Sequence, residues 1–430
     1  MLIKQIVIYL QKKNSIFIHM RHKNLFTFAL LLIVSCTSHK KDSSGSNVID
    51  VVGGLQNITM LKTSDFGKTI RYIPLETTDD CLIGNNPIVK VLKNHIIVEV
   101  NRRCLLFDKK NGNFISEIGH IGQDPEAYSS SFSWTDEKEE FLYFTSAPDK
   151  LLKYDMQGNF AGKIEIPSPP GPAAYYLVTN SEIIGYYNGI NSSGNYTLAF
   201  LDKTGTFTDT IPSLLTKPEE TTADIINISV TKGNTVYGNW TKTGAIIINY
   251  KNDKKQIIAA DATTLWNYNG NYRFKENFVD TIYTISGREL IPSITFKTGK
   301  WQWPENERLS KNNNSERVFI SDVSENNTFV FFQCIKGLYT DDPILYNGLY
   351  NKKTGETQLG KNSDSVHDDL TGFIPFKPYS ISTSGEFVSF VEAIDIIEWI
   401  EKHPEFKNNA KLTFLQNFND DMNPVIVLVE

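Results

Sequence analysis

The chain reads as an all-β protein, a single β-propeller of six or seven four-stranded antiparallel blades with a small helical insertion near the C-terminus. Three observations predict this. One design recurs three times: Leu106-Phe107-Asp108 with Gly112-Asn113-Phe114, Lys153-Tyr154-Asp155 with Gly158-Asn159-Phe160, and Phe200-Leu201-Asp202 with Gly205-Thr206-Phe207. Its aspartates stand 47 residues apart, and a fixed period of this size, built from an apolar strand, a polar Gly turn and a second apolar strand, is the mark of a blade repeat. Around these turns lie short β-branched and aromatic runs bounded by Asn, Gly or charged residues, four to a repeat. Finally, lone apolar strands at Thr69 to Leu75 and at Pro424 to Val429 each need an edge partner, and pairing them in one blade would close the ring and remove exposed edges.

Taken in order, Met20-Arg21-His22-Lys23-Asn24 is a basic n-region and Leu25 to Val34 an apolar h-region, ending at Ile33-Val34-Ser35-Cys36. Ten residues fall short of the roughly 20 that span a bilayer, and a small residue before Cys is what lipoprotein signal peptidase requires. The segment resembles a bacterial lipobox with Cys36 as the lipidated residue, which makes residues 1–35 a signal peptide, with Met20 a plausible start. Residues 36–65, which begin Thr37-Ser38-His39-Lys40-Lys41-Asp42-Ser43-Ser44-Gly45-Ser46, have the composition of a flexible tether. Residues 66–430 form the propeller. Acyl chains on Cys36 would contribute about 0.8 kcal/mol per buried methylene, enough to hold the protein on a membrane without a spanning helix. Thr37 in place of Asp removes an inner-membrane retention signal, so an outer-membrane lipoprotein of the cell envelope is expected, facing the periplasm or the surface.

The first blade is expected over Ile88 to Leu92, His95 to Val100, Cys104 to Asp108 and Phe114 to Ile118. A second runs over Ser131 to Trp134, Phe141 to Thr145, Leu151 to Asp155 and Phe160 to Ile166, and a third spans Tyr175 to Ile211. A degenerate fourth is read over Ile225 to Val230, Thr235 to Trp240 and Ala245 to Tyr250, and a fifth over Tyr272 to Phe274, Asp280 to Ile285 and Ser293 to Phe296. Another follows from Val318 to the turn Lys353-Thr354-Gly355. Ala393 to Lys402 is the one convincing helix, with Ile394, Ile397 and Ile400 or Trp399 on one face. It stops at His403-Pro404 because Pro cannot continue the hydrogen-bond ladder.

Composition narrows the partners. Removing residues 1–35 takes away five basic and no acidic residues, leaving 38 Lys and Arg against 49 Asp and Glu, a net charge of −11. An acidic chain without a basic patch excludes nucleic acid as a partner. Beyond Cys36 the cysteines are Cys81, Cys104 and Cys334, an odd number without CxxC spacing, which signals neither a zinc site nor a disulfide framework. A Cys81–Cys104 bridge is left open. The three aspartates of the repeat are expected to be structural, binding local backbone N–H groups at the strand ends.

Several motifs together carry a family resemblance: Tyr72-Ile73-Pro74-Leu75-Glu76-Thr77, Leu82-Ile83-Gly84, Ile118-Gly119-His120-Ile121-Gly122-Gln123-Asp124-Pro125-Glu126-Ala127-Tyr128, Asp280-Thr281-Ile282-Tyr283 and Asn423-Pro424-Val425-Ile426-Val427. From about Phe66 to Glu430 the chain resembles the six-bladed β-propeller lipoproteins of Bacteroidetes, which are similar to NHL and TolB-like propellers. The resemblance implies fold and envelope location but no biochemical role. Where the family loop reads like G-x-G-Q-G-P-G-E-Y, Asp124 and Ala127 interrupt it here. Lys40-Lys41-Asp42 is a weak echo of the charged surface-export tag of such lipoproteins.

A propeller licenses no function by itself. The ligand face is expected on the loops from strand d to the next strand a and from b to c: Gly119 to Ser130, Pro167 to Ala174, Pro212 to Thr222, Asn101 to Arg103, Ser146 to Asp149 and Asn188 to Asn195. Arg102, Arg103, Gln123, Asp124, Glu126, Tyr128, Tyr175, Tyr176 and Tyr187 are the candidate ligand-binding residues, since aromatic faces beside carboxylates and amides suit a glycan, a peptide or a partner protein. The loop Gly119 to Tyr128 is expected to line the mouth of the central channel. Two classes of function follow: a non-enzymatic binding propeller, and a metal-dependent hydrolase or lactonase with its site in the channel. His95, His120 and the cluster His367-Asp368-Asp369 could supply metal ligands to such a site, though without HExxH spacing; no Gly-x-Ser-x-Gly elbow or phosphate loop occurs. Binding is the favoured class, and no cofactor is expected.

Overall fold

The computed structural model describes residues 47–187, 195–216, 220, 222–231, 235–236, 239–240, 244–260, 262–304, 316–338 and 342–430. The expected signal peptide of residues 1–35, the expected lipidation site Cys36 and residues 188–194 of the Asn188 to Asn195 loop lie outside them. Six four-stranded antiparallel sheets carry the fold, each with strands a to d in order across the sheet. Blade 1 is Ile88–Val91, His95–Val100, Arg103–Asp108 and Phe114–Glu117; blade 2 is Ser133–Thr135, Phe141–Ser146, Lys150–Asp155 and Phe160–Glu165; blade 3 is Tyr175–Val178, Glu182–Tyr186, Tyr196–Asp202 and Phe207–Pro212. Blade 4 is Leu265–Tyr268, Asn271–Lys275, Thr281–Ser286 and Glu289–Phe296, and blade 5 is Val318–Glu325, Phe329–Lys336, Ile344–Asn351 and Thr357–Lys361. Blade 6 takes Ser380–Ile381, Phe387–Val391 and Val425–Val429 from the C-terminal end and its strand d, Ile70–Pro74, from the N-terminal end. That last pairing runs antiparallel from Ile70 opposite Val429 to Pro74 opposite Val425, as the two lone terminal strands required.

Strand alternation builds the core. Successive side chains of a strand point to opposite faces, and here both faces are covered. In blade 1, Ile96, Val98, Val100, Leu105 and Phe107 enter the cluster shared with blade 6, while Ile97, Cys104 and Leu106 enter the cluster shared with blade 2. Val425, Val427 and Val429 of blade 6 face blade 5, and the intervening Ile426 and Leu428 face blade 1. Six such clusters join the blades in the cyclic order 1–2–3–4–5–6–1. Each fully buried Val, Leu or Ile contributes about 1.5–3 kcal/mol.

Four expectations change. The runs at Ile225 and Ala245 are not a blade: Ile225–Thr231, Gly244–Tyr250 and Lys255–Ala260 form a separate three-stranded sheet inserted between blades 3 and 4. Strand 225–231 leaves Ile226 and Ile228 exposed and so cannot be sandwiched between two neighbours. The tether is shorter than residues 36–65, because Asn47–Ile49 adds a parallel strand to strand d of blade 4, Val51–Gln56 is a helix (α1) and Thr63–Asp65 a 3-10 turn. Ile49, Val51 and Leu61 supply the buried side chains that hold this stretch down. Helix α2 spans Ala393–Lys402 between strands b and c of blade 6, but it buries Ala393 and Ile396 with Trp399 and Ile400 against the core, while Ile394 is exposed. Cys81, Cys104 and Cys334 are free and buried; Cys81 and Cys104 enter clusters on opposite sides of blade 1, so no bridge joins them.

The repeated turns behave as read. Asp108 Oδ1 accepts the N–H groups of Lys110 and Asn111 at 2.8 and 3.1 Å, Asp155 Oδ1 those of Gln157 and Asn159 at 2.9 and 2.8 Å, and Asp202 Oδ1 those of Thr204 and Thr206, both at 2.9 Å. The glycine that follows has a second duty. Gly112 and Gly205 adopt φ of +77° and +95°, and a Cβ on either would stand 2.1 Å from a carbonyl oxygen of the preceding blade's outer strand, Pro74 or Glu165. The turn is therefore where one blade's edge meets the next.

Gly205→Ala should lower the melting temperature far more than Gly355→Ala. Both replace a left-handed residue, at a cost of about 1–2 kcal/mol, but a Cβ at Gly355 meets nothing within 4 Å. Equal losses would show that the contact with Glu165 is unimportant. The turns should also weaken in acid. The Thr204 hydroxyl first, joined by the N–H groups of Thr206 and Thr204, holds the Asp202 carboxyl below its ordinary range against the opposing effect of desolvation. Its contribution is present above the ordinary Asp pKa and is lost as pH falls through the lowered one. Asp202→Asn should flatten that part of the acid-unfolding curve.

Candidate binding site in the central channel

The antiparallel order places the d–a and b–c connections at one end of the sheets and the a–b and c–d turns at the other. A cavity of about 420 Å³ runs along strand a of all six blades and reaches the a–b turns. Its lining includes Lys90, Trp134, Tyr175, Trp266, Asn267 and Glu325, with Asp136, Glu137 and Glu139 in the a–b turn of blade 2. The sequence expectation had centred on the opposite set of loops.

Of the nine candidate ligand residues, two line this cavity. Tyr175 does so with its ring set edge-on to Phe132 and Trp134, at centroid distances of 6.1 Å each. Tyr176 borders it but is buried, with its hydroxyl oxygen accepting the Ala173 N–H at 2.7 Å. Tyr128 and Tyr187 are wedges between blades. The Tyr128 hydroxyl donates to the Ile118 carbonyl at 3.0 Å and its ring stacks on Phe144 at 4.4 Å; the Tyr187 hydroxyl donates to the Gly171 carbonyl at 2.7 Å. Arg103 pairs with Glu117 at 2.7 Å. Arg102, Gln123, Asp124 and Glu126 are exposed, and Asp124 closes its own loop by accepting from His120 Nε2 at 2.6 Å and from the Glu126 N–H at 3.1 Å. No residue of the loop Gly119 to Tyr128 lines the channel cavity. Its Pro and Gly fix a turn, as expected, but the turn anchors Tyr128 in the seam between blades 1 and 2 rather than facing a ligand.

Sequence reasoning missed the acids around the channel. Glu99, from strand b of blade 1, is buried, and its Oε1 accepts from Lys90 Nζ at 2.6 Å and from the N–H and hydroxyl of Ser133 in blade 2 at 2.7 and 2.5 Å. Burial pushes its pKa up, opposed by the Lys90 ammonium. Glu325, fully buried at the end of strand a in blade 5, accepts from Arg273 Nε of blade 4 at 3.0 Å, Lys352 Nζ at 2.5 Å and Trp266 Nε1 at 3.0 Å. Glu276 of blade 4 accepts from the hydroxyls of Tyr186 and Thr197 in blade 3 at 2.6 and 2.7 Å. Lys109 of blade 1 meets Glu386 of blade 6 at 2.8 Å. At the mouth, Glu137 of blade 2 accepts from the Asn180 N–H at 3.0 Å, Asn267 Nδ2 at 2.9 Å and the Tyr272 hydroxyl at 3.2 Å. No local motif marks such residues. Their one trace in the sequence is an acid inside an otherwise apolar strand, as in His95-Ile96-Ile97-Val98-Glu99-Val100.

In His367-Asp368-Asp369 both aspartates are engaged by hydrogen bonds within the protein. Asp368 is buried, with Oδ1 accepting the N–H groups of Leu370 and Thr371 at 3.0 Å each and Oδ2 the Tyr72 hydroxyl at 3.2 Å. Asp369 binds the Ser64 N–H and hydroxyl at 3.0 and 2.6 Å. The pair fastens the N-terminal segment to the connection between blades 5 and 6. Among the described residues no three His, Cys, Asp or Glu side chains are placed to hold a metal ion.

Glu325→Ala should lower the unfolding free energy by about 3–5 kcal/mol, because it strands Arg273 and Lys352 without their buried counter-charge. Urea unfolding followed by Trp fluorescence measures it. A loss below about 1 kcal/mol would reduce this cluster to the standing of a surface ion pair.

With this geometry in hand, comparison with known proteins is informative on fold. A solved exported protein of Bacteroides fragilis NCTC 9343, BF0058, superposes with a TM-score of 0.57 at 16% identity, covering 84% of this chain and 94% of that one. The WD40 repeats of RRP9 match at a TM-score of 0.39 and 9% identity over 86% and 99% of the two chains, and BamB from Moraxella catarrhalis at 0.26 and 11% over 60% and 70%. No curated protein is similar in sequence. Residues 46–430, the whole of the folded unit, match the model of the family DUF4934, a domain of unknown function, and the chain belongs to that family.

Proposed function

We propose that the protein is an exported, lipid-anchored propeller that binds a small polar ligand in its central channel and does not convert it. The observation that carries this reading is the cavity itself. It falls in the size range of small-molecule pockets; all six blades line it, blades 2 to 4 with aromatic rings, beside amides, hydroxyls and charged groups. The candidate ligands of the sequence reading, a glycan, a peptide or a partner protein, thereby narrow to those able to enter the channel. The hydrolase reading draws no support from the described residues, where no metal-ligand trio converges. Export is supported by the signal-like segment ending at Cys36 and by likeness to a Bacteroides exported protein. Attachment to the outer membrane through Cys36 is part of the same proposal, and among the described residues no helix is long and apolar enough to cross a membrane.

Two measurements test the two halves. Cys36→Ala should move the protein from the membrane pellet to the soluble fraction; retention in the pellet would remove the lipid anchor from the model. For the channel, Ser324→Trp places an indole in the cavity that Ser324 lines. Small molecules that bind the full chain by saturation-transfer NMR should lose their signal in this variant. Binders that keep their affinity with the channel filled would place the site elsewhere.

A further inference from the structure

We propose that the channel ligand is a short, uncharged carbohydrate, packed against the rings of Tyr175 and Trp266; this rests on the channel being the binding site. The argument begins with charge. Five charged side chains line the cavity: Lys90, Asp136, Glu137, Glu139 and Glu325. Each is hydrogen-bonded within the protein, but only Lys90 and Glu325 are held by opposite charges. Lys90 Nζ donates to Glu99 Oε1 at 2.6 Å and to the Ser133 carbonyl at 2.5 Å. Glu325 is held by Arg273 and Lys352, and Glu137 by the three donors described above. Asp136 Oδ1 accepts the N–H groups of Glu140 and Phe141 at 2.8 and 3.0 Å, and Glu139 Oε2 accepts the Lys93 N–H at 2.9 Å. An anionic ligand would meet the carboxylates of Asp136, Glu137 and Glu139, which accept from neutral donors, and would find the one lining cation, Lys90, already paired with Glu99. A neutral polyol avoids that repulsion and the desolvation of a charge.

The backbone argues against an extended peptide. Peptides recognised along a sheet edge need free N–H and C=O groups on the edge strand. In this channel the a–b ends of the inner strands are tied to one another: the Glu137 N–H donates to the Val178 carbonyl at 3.0 Å, linking blades 2 and 3, and the Thr383 N–H to the Val91 carbonyl at 3.1 Å, linking blades 6 and 1. A peptide strand laid along these ends would have to displace such links.

The lining side chains have the character a sugar requires. Sugar rings present C–H faces that pack on aromatic surfaces and hydroxyls that both donate and accept. Tyr175 and Trp266 are each partly exposed and line the cavity. The Trp266 ring is pinned by its hydrogen bond to Glu325, so it is presented in one orientation. Among the described residues no group hydrogen-bonds the Tyr175 hydroxyl, although the Tyr128, Tyr176, Tyr186 and Tyr187 hydroxyls are each bonded. A tyrosine with an aromatic flank and an uncommitted hydroxyl, beside Ser324, Thr135 and Thr383, is suited to a ligand rich in hydroxyls.

The test is saturation-transfer NMR on the full chain with three panels: neutral mono- and disaccharides, sulfated or carboxylated saccharides, and tripeptides. The neutral saccharides should give signals, which Ser324→Trp abolishes. Tyr175→Phe, which keeps the ring and its packing, should weaken them roughly three- to tenfold, the loss of one neutral hydrogen bond. Tyr175→Ala should abolish them, with circular dichroism checking that the variant is folded. Signals from the charged saccharides or peptides alone, abolished by Ser324→Trp, would overturn the carbohydrate inference and leave the channel site intact. Neutral saccharide signals that survive Ser324→Trp would overturn both. Absence of binding by every panel at millimolar concentration would overturn the carbohydrate inference, as would an affinity unchanged by Tyr175→Phe and Tyr175→Ala.

Discussion

Burial of every blade on both faces is the constraint on which the rest of this molecule depends. A sheet with one wet face can alternate apolar and polar residues; a sheet pressed between two neighbours cannot. The b and c strands accordingly read as continuous apolar runs, such as Phe329-Val330-Phe331-Phe332 and Val425-Ile426-Val427-Leu428-Val429, whose odd and even members serve different clusters. The outer strands relax toward alternation, as in Phe160–Glu165, where exposed and half-buried residues interchange. An edge of the ring left open would expose such a two-faced core, and the pairing of Ile70–Pro74 with Val425–Val429 covers it.

Polar groups in the same seams obey a second rule. A buried carboxylate is tolerated only when its charge is met by hydrogen bonds or an opposite charge, and five of the six blade junctions hold a glutamate that accepts hydrogen bonds from the adjoining blade: Glu99, Glu276, Glu325 and Glu386 in the seams and the half-buried Glu137 at the mouth. Between blades 5 and 6 the equivalent link is Asn326 Nδ2 donating to the Gly385 carbonyl at 2.8 Å. Apolar clusters supply most of the adhesion between blades, but they are non-directional. The acids add direction, because each accepts from donors at set positions on the neighbouring blade.

The N-terminal stretch binds three blades from outside. Asn47–Ile49 lies on strand d of blade 4, helix α1 packs near Leu359 of blade 5 with the Thr59 N–H donating to the Leu359 carbonyl at 2.9 Å, and Thr63 reaches His367 before the chain enters blade 6. The residues that would have served as a loose tether instead cover outer edges that would otherwise carry unpaired N–H and C=O groups.

The period of 47 residues, the capped aspartates, the strands of blades 1 to 3, the helix Ala393–Lys402 and the pairing of the two chain ends were all legible in the sequence, because each follows from interactions close along the chain or from an unsatisfied edge. The count of six blades was not. Strand 225–231 is as rich in β-branched residues as a blade strand, and only the exposure of Ile226 and Ile228 shows that no neighbour covers it. The site was legible least of all. Tyr128, Tyr175, Tyr176 and Tyr187 are the same residue type in similar surroundings; the inner strand of blade 3 sets Tyr175 and Tyr176 at the channel, and of these two only the Tyr176 hydroxyl is hydrogen-bonded among the described residues. The partners of Glu99, Glu276 and Glu325 lie 34, 90 and 52 residues away. Sequence by itself determines which residues are buried in alternation and where turns fall, since strand geometry and turn chemistry act over a few residues. Which polar groups meet across a seam, and which remain free to face the channel, is decided only when six sheets close on one another, because hydrogen bonding and desolvation depend on neighbours brought together by the ring.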